Sequence, residues 1–149
     1  MPIDESFPSD EAYMRLALEQ AQLAYEQGEI PVGAVAVHRG HAIARAYNTK
    51  ERARDPTAHA EMTAMRLAAK HLGGWRLMDV TLYCTMEPCP MCAGTMIQAR
   101  LPRLVYAIDD PKAGAAGSII DLLEAGVATP APATGVDEAV ELLAGFLRR

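Results

Sequence analysis

Two short segments of this 149-residue chain gather side chains able to do chemistry. One is Asp55-Pro56-Thr57-Ala58-His59-Ala60-Glu61, the other Glu87-Pro88-Cys89-Pro90-Met91-Cys92. Prolines on both sides of Cys89 make a rigid entry into a helix, and Pro90 suits the first helical turn, where its missing N–H costs little. Both cysteines then sit at the positive end of the helix dipole, which lowers thiol pKa and favours thiolates. Two thiolates at this spacing can grip one Zn²⁺ at about 2.3 Å each. Taken alone, the pair also fits an apolar buried role or a thioredoxin-like redox couple.

His59 falls in the first turn of a second helix, with Glu61 two residues on. Residues two apart do not share a helix face. They can still converge on a point beyond the helix N-terminus. One His and two Cys would leave the fourth tetrahedral position open, as in catalytic rather than structural zinc sites. Cys84, five residues before Cys89 in a strand, reads as core. Zinc lowers the pKa of bound water to about 7, and Glu61 would then take that proton and pass it on. By itself Glu61 reads as a surface acid that stabilises a helix N-terminus.

The elements that must position these groups follow from periodicity and punctuation. Residues 1–9 read as a loose N-terminal tail. Residues 10–27 are helical, with Met14, Ala17, Leu18, Ala21 and Tyr25 on one face. Residues 32–38 and 41–47 form a β-hairpin about Arg39-Gly40. Residues 58–72 are a helix stopped by Gly73-Gly74. A strand at 80–85, a helix from Pro90 to about Arg100 and a strand at 103–108 imply parallel pairing with helices on the sheet. Residues 118–124 read as a short helix. Residues 126–135 read as a Pro/Ala/Thr linker before a final helix at 137–147, and two prolines within it argue against a central strand. The order fits one α/β domain spanning 1–149, a three-layer α/β/α arrangement.

Composition narrows the classes. Half the residues are apolar and 22% are charged, which is ordinary for a globular chain and argues against disorder. No apolar run reaches the roughly 18 residues of a membrane span. The acidic start lacks an apolar signal region, so a cytoplasmic protein is expected. A net charge of −5 alone speaks weakly against a nucleic-acid partner. That charge is unevenly spread. Residues 1–29 carry seven acids and one base, and residues 113–149 carry five acids and two bases. Residues 30–112 carry eleven bases and seven acids and contain every proposed site residue. Arg52, Arg54, Arg100, Arg103 and Lys112 are candidates for a phosphate-facing rim if the fold gathers them.

His59-Ala60-Glu61 followed by Pro88-Cys89-Pro90-Met91-Cys92 resembles the signature of the zinc-dependent cytidine/deoxycytidylate deaminase superfamily. The resemblance, rather than the spacing, supplies the pairing of His59 with the two cysteines. The chain is more closely similar to the bacterial tRNA-specific adenosine deaminases. The matching stretches are 30–35, 55–61, 82–94 and 110–118, the last reading Asp-Pro-Lys-Ala-Gly-Ala-Ala-Gly-Ser. The resemblance implies a cytidine-deaminase-like mixed sheet of five strands. It implies one Zn²⁺ per subunit on His59, Cys89 and Cys92, with Glu61 as the catalytic proton shuttle. It also implies substrate contacts from Asn48, the Ala60 N–H, Asp110 and Lys112.

The implied reaction is hydrolytic deamination of adenosine to inosine at the wobble position of a tRNA anticodon stem-loop, by a homodimer. A free-base deaminase for guanine or cytosine would use the same zinc groups. A zinc-stabilised subunit that only binds RNA or a partner would hold metal without turnover. In place of the basic strand expected of family members, this chain has Ala-Thr-Pro-Ala-Pro-Ala-Thr, followed by a helix ending in Arg148-Arg149.

Overall fold

The structure is a computed structural model that describes residues 9–131 and 133–148. The expected tail at 1–9 lies, apart from Ser9, outside the described residues, as does Arg149. Helix α1 (Asp10–Glu26) starts at Ser9, whose hydroxyl accepts from Ala12 N at 3.3 Å. It ends where Gly28 turns the chain at φ 78°. Strands β1 (Gly33–His38) and β2 (His41–Tyr47) form the expected hairpin. Its turn residues Arg39 and Gly40 both have positive φ, 49° and 80°, as a tight two-residue hairpin turn requires. A four-residue helix α2 (Lys50–Ala53), not foreseen, follows β2. Then come α3 (Ala60–Leu72), β3 (Val80–Met86), α4 (Pro90–Gln98) and β4 (Arg103–Ile108). The chain closes with β5 (Ala128–Pro130) and α5 (Ala133–Leu147).

The strands make one mixed sheet in the order β2-β1-β3-β4-β5. Strand β1 is antiparallel to both β2 and β3, while β3-β4 and β4-β5 are parallel. Alternation along the strands sends side chains to two separate cores. Val35, Val37, Tyr83, Val105 and Ala107 face α1 and α5. Ala34, Ala36, Leu82, Cys84 and Leu104 face α3 and α4. The three-layer α/β/α expectation therefore holds. Alanines at 60, 64 and 68 on α3 and at 34, 36, 44 and 46 on the hairpin let that helix lie close on the sheet. Cys84 is fully buried there, as a core residue. Among the described residues, no helix is long and apolar enough to cross a membrane.

Two expectations fail. Residues 118–124 are not helical. They form turns with one isolated antiparallel bridge, Ala116 to Asp121. Their amides bond elsewhere: Ser118 N donates to Glu87 Oε2, Ile119 N to Gly114 O and Leu122 N to Ala115 O, which leaves no i→i−4 ladder. The 126–135 segment is not simply a linker. Ala128–Pro130 pairs in parallel with β4, and α5 begins at Ala133. The strand lies at the sheet edge, where Pro130 has no neighbour requiring an N–H.

Helix α1 approaches β1 too closely for any side chain at Gly33. A Cβ there would lie 2.0 Å from Ala17 O and 2.5 Å from Ala21 N. Both atoms are helix backbone, so only movement of the whole helix could relieve the clash. Gly33→Ala is expected to destabilise the fold by about 2–3 kcal/mol, the upper range for overpacking. Urea denaturation of both proteins checks this, with a fall in midpoint at an unchanged slope as the expected result.

Candidate active site

Residues His59 and Cys89 occupy equivalent places. Each is the N-cap of a helix, α3 and α4 respectively, with extended backbone at φ −74°, ψ 151° and φ −75°, ψ 172°. An N-cap side chain ordinarily accepts a hydrogen bond from its helix. Neither of these does, so both are free to face each other. Local structure explains His59. Asp55 Oδ1 accepts from Thr57 N at 2.8 Å and from Thr57 Oγ1 at 2.7 Å. This turn is tied to the end of the hairpin by Thr49 N to Ala58 O, 3.1 Å. Cys89 is placed by the flanking prolines at the end of β3, and Cys92 follows one turn into α4.

The three donor atoms form a nearly equilateral triangle. Cys89 Sγ lies 3.5 Å from His59 Nδ1, Cys92 Sγ lies 3.6 Å from the same nitrogen, and the two sulfurs are 3.6 Å apart. An ion about 2.3 Å from each sulfur and about 2.0 Å from the nitrogen, at tetrahedral angles, needs edges of about 3.5–3.8 Å. The residues therefore fit zinc. Among the described residues, this is the one cluster of three or more such donors close enough to share an ion.

The electrostatics agree with that fit. The Cys89 thiol is pulled down to about 4 by the hydrogen bond from Cys92, against the cost of its own burial, and His59 adds to the effect. His59 is pushed up, first by its hydrogen bond to Cys89. Cys92 is pushed far up because its S–H donates to Cys89 and is buried. A bound cation would displace the protons that Cys92 and His59 hold toward the Cys89 sulfur.

Glu61, in the first turn of α3, is 4% exposed, and its Oε1 has no hydrogen-bond partner among the described residues. Burial holds its carboxyl above the usual carboxylate range. An unpartnered carboxylate oxygen in so buried a place is costly, and here it borders a cavity. That cavity, of about 160 Å³, is lined by Ile30, Val32, Asn48, Lys50, His59 and Ala60, together with Glu61, Met86, Glu87, Cys89, Asp110 and Ala113. It opens at the carboxyl ends of the parallel strands β3 and β4, the usual place for ligands in α/β sheets.

The structure brings most of the expected residues to this cavity. Asn48 is buried, and its side chain is fixed by Ile30 O at 3.4 Å and Lys50 N at 3.2 Å. Ala60 opens α3, where backbone N–H groups lack intrahelical acceptors. Asp110 is on the wall, its carboxylate accepting from Lys112 N and Ala113 N. Lys112 is exposed on the same loop, outside the cavity lining.

The proposed basic rim is only partly gathered. Arg52 and Arg54 lie on α2 and its C-cap, in the helix that begins at Lys50, and neither lines the cavity; the Arg52 guanidinium donates to Gln27 Oε1. Arg103 begins β4 and Arg100 precedes it, at the end of the sheet remote from Ile108 and the cavity, roughly 16 Å along the strand. Arg103 is held there by both carboxylate oxygens of Asp10, at 3.0 and 2.6 Å. Lys50, which the sequence reading passed over, lines the cavity instead. Glu29 and Glu87 were missed as well. Both are buried carboxylates that accept backbone N–H bonds, Glu29 from α2 and Glu87 from the loop that carries Asp110. Glu87 stands two residues before Cys89, and this was the one available sequence signal.

Removal of any donor should empty the site. His59→Ala and Cys89→Ala are each expected to lower zinc from one equivalent per chain to less than about a tenth, by elemental analysis after dialysis against a weak chelator.

Comparison with known proteins agrees with this geometry. Residues 8–108 match the model of the cytidine and deoxycytidylate deaminase zinc-binding region. The chain is 48% identical over 115 residues to the tRNA-specific adenosine deaminase of Bacillus subtilis, covering 77% of this chain and 71% of that protein. A solved structure from work on A-to-I editing by tRNA:A34 deaminases superposes with TM-score 0.82 at 39% identity, covering 88% of this chain and 98% of that one. The guanine deaminase structure from Bacillus subtilis gives TM-score 0.67 at 38% identity, covering 81% and 72%. With the donor triangle, the buried carboxylate and the matched region in agreement, the chain belongs to the cytidine and deoxycytidylate deaminase family of zinc-binding proteins.

Proposed function

We propose that this protein is a zinc-dependent hydrolase that deaminates adenosine to inosine at the wobble position of a tRNA anticodon. The observation that carries the reading is the buried Glu61 Oε1, without a hydrogen-bond partner among the described residues, on the same cavity wall as His59 and Cys89 of the three-donor cluster. His59, Cys89 and Cys92 would hold the ion. When bound, zinc supplies a Lewis acid that makes water a nucleophile near neutral pH. Glu61, its carboxyl held above the usual carboxylate range by burial, is suited to carry a proton both ways. It takes one proton from water and delivers it to the ring nitrogen as the water oxygen bonds to C6, then moves the second proton from that oxygen to the amino nitrogen, and the C6–N bond breaks to release ammonia.

The remaining residues orient the base. Asn48, locked by its contacts to Ile30 and Lys50, presents an amide edge, and the Ala60 N–H offers a donor at the positive end of α3. The cavity is smaller than the roughly 300–1,000 Å³ that encloses whole drug-sized ligands. That size suits one flipped base, with Asp110 and Lys50 on the wall and with its ribose and neighbouring nucleotides outside, toward the exposed Lys112, Arg52 and Arg54. RNA is favoured over a free base because the curated relatives from Bacillus subtilis and Haemophilus influenzae, 48% and 49% identical to this chain, are both tRNA-specific adenosine deaminases. The whole chain then acts as one deaminase domain. The same reading implies a cytoplasmic homodimer, and the exposed Leu67, Trp75, Met78, Ile97 and Ile120 supply apolar surface for such a contact.

A substrate panel tests the proposal. The zinc-loaded protein is offered an anticodon stem-loop with a wobble adenosine, free adenosine, guanine and cytosine. Inosine should form on the stem-loop alone, with a rate that falls steeply as salt rises. Glu61→Gln should keep its zinc and lose at least about 10³-fold in turnover. Turnover of guanine with a flat salt response would overturn the RNA reading and leave a free-base deaminase.

A further inference from the structure

We infer that Glu87 is a positioning residue for the polynucleotide part of the substrate, because it fixes the 110–118 loop to the metal-binding segment. The inference rests on the RNA reading above. Glu87 is 3% exposed, and among the described residues no basic side chain forms an ion pair with it. Its carboxylate is instead filled by one loop. Asp110 N donates to Oε1 at 3.0 Å, and Ala116 N and Ser118 N donate to Oε2 at 2.9 and 3.1 Å. The Ser118 hydroxyl donates to Oε1 as well. A carboxylate is an acceptor with about four lone-pair sites, and here a single loop supplies four donors.

Two further contacts show that the fit is made for this carboxylate. At Gly114 a Cβ would lie 2.4 Å from Glu87 Cδ and Oε2, so the loop folds around the side chain with no room for any other residue there. Ala115 N donates to Pro88 O at 2.8 Å, a second tie to the same segment. Glu87 and Cys89 are separated only by Pro88, whose ring limits backbone freedom. The loop therefore takes its position from the same rigid stretch that sets a metal donor. It supplies Asp110 and Ala113 to the cavity wall and carries Lys112 outside it. With Glu87 removed, three part-buried N–H groups lose their acceptor and the loop leaves its place. A base already in the cavity would still meet the metal donors and Glu61. A polynucleotide reaching across the loop would be held less well.

The test uses full-length, zinc-loaded protein. Glu87→Ala is expected to raise KM for the anticodon stem-loop by about ten-fold or more, with a smaller effect on kcat. Zinc should stay at one equivalent. The amides of Ala116 and Ser118 should exchange with solvent about 100-fold faster or more. Gly114→Ala should reproduce these changes by displacing the carboxylate, yet add less than about two-fold when Glu87 is already alanine. Ser118→Ala, which removes one donor and leaves Glu87 in place, should raise KM by only about three-fold and serves if Glu87→Ala folds poorly. Unchanged KM with a deprotected loop would overturn the inference. So would a fall in kcat that tracks zinc loss, which would make Glu87 a support for Cys89 alone. If the parent protein leaves the stem-loop unmodified, the functional reading fails, and loop exchange with the Gly114 pair still judges the anchoring.

Discussion

The structure depends on the meeting of two helix N-termini. Helices α3 and α4 lie on one face of the sheet and start at its carboxyl edge, so His59 and Cys89 become caps that face each other across about 3.5 Å. Both sets of backbone N–H dipoles point at that space, which favours thiolate and, through it, a cation. The rest of the fold keeps the two starts in register. Alanine-lined contacts seat α3 on β1 and β2, the parallel β3–β4 pair fixes α4 between its strands, and α1 packs against Gly33 from the other side.

Around this centre the cavity walls are held by buried carboxylates that accept backbone N–H groups. Glu29 receives Glu51 N and Arg52 N and so fixes α2 on one side. Glu87 receives the 110–118 loop on the other. Glu61 lines the same cavity, similarly buried but with one oxygen unpartnered among the described residues. The contrast separates roles among chemically identical side chains. A carboxylate saturated with donors is a strut, whereas one kept short of partners next to a metal triangle is available to move a proton.

Much of this was legible in the sequence. The 3.6-residue and two-residue periods placed α1, the hairpin, β3 and β4 within a residue or two. The likeness of the His-x-Glu and Pro-Cys-x-x-Cys segments to the zinc deaminase signature pointed to the donors, whereas the spacing alone also fitted a buried or redox-active cysteine pair. Where the reading failed, long-range contacts had overridden local preference. Residues 118–124 look helical locally, but Glu87 captures the amide of Ser118, and the amides after it turn back onto Gly114 and Ala115. The proline-containing 128–130 segment becomes a strand because its place is at an edge, which composition does not reveal. Arg100 and Arg103 shared a positive stretch of sequence with the site but lie at the far end of β4, where Asp10 takes Arg103. Adjacency in sequence carries no information about which end of a strand a residue will face.

The central claim is that the metal has two sulfur ligands and one nitrogen ligand, with a fourth position open beside Glu61. X-ray absorption at the zinc edge of the purified protein measures this directly. The account predicts two sulfurs at about 2.3 Å and two lighter atoms at about 2.0 Å. Three or four sulfurs in the shell would close the site, draw in Cys84 from the core, and contradict it.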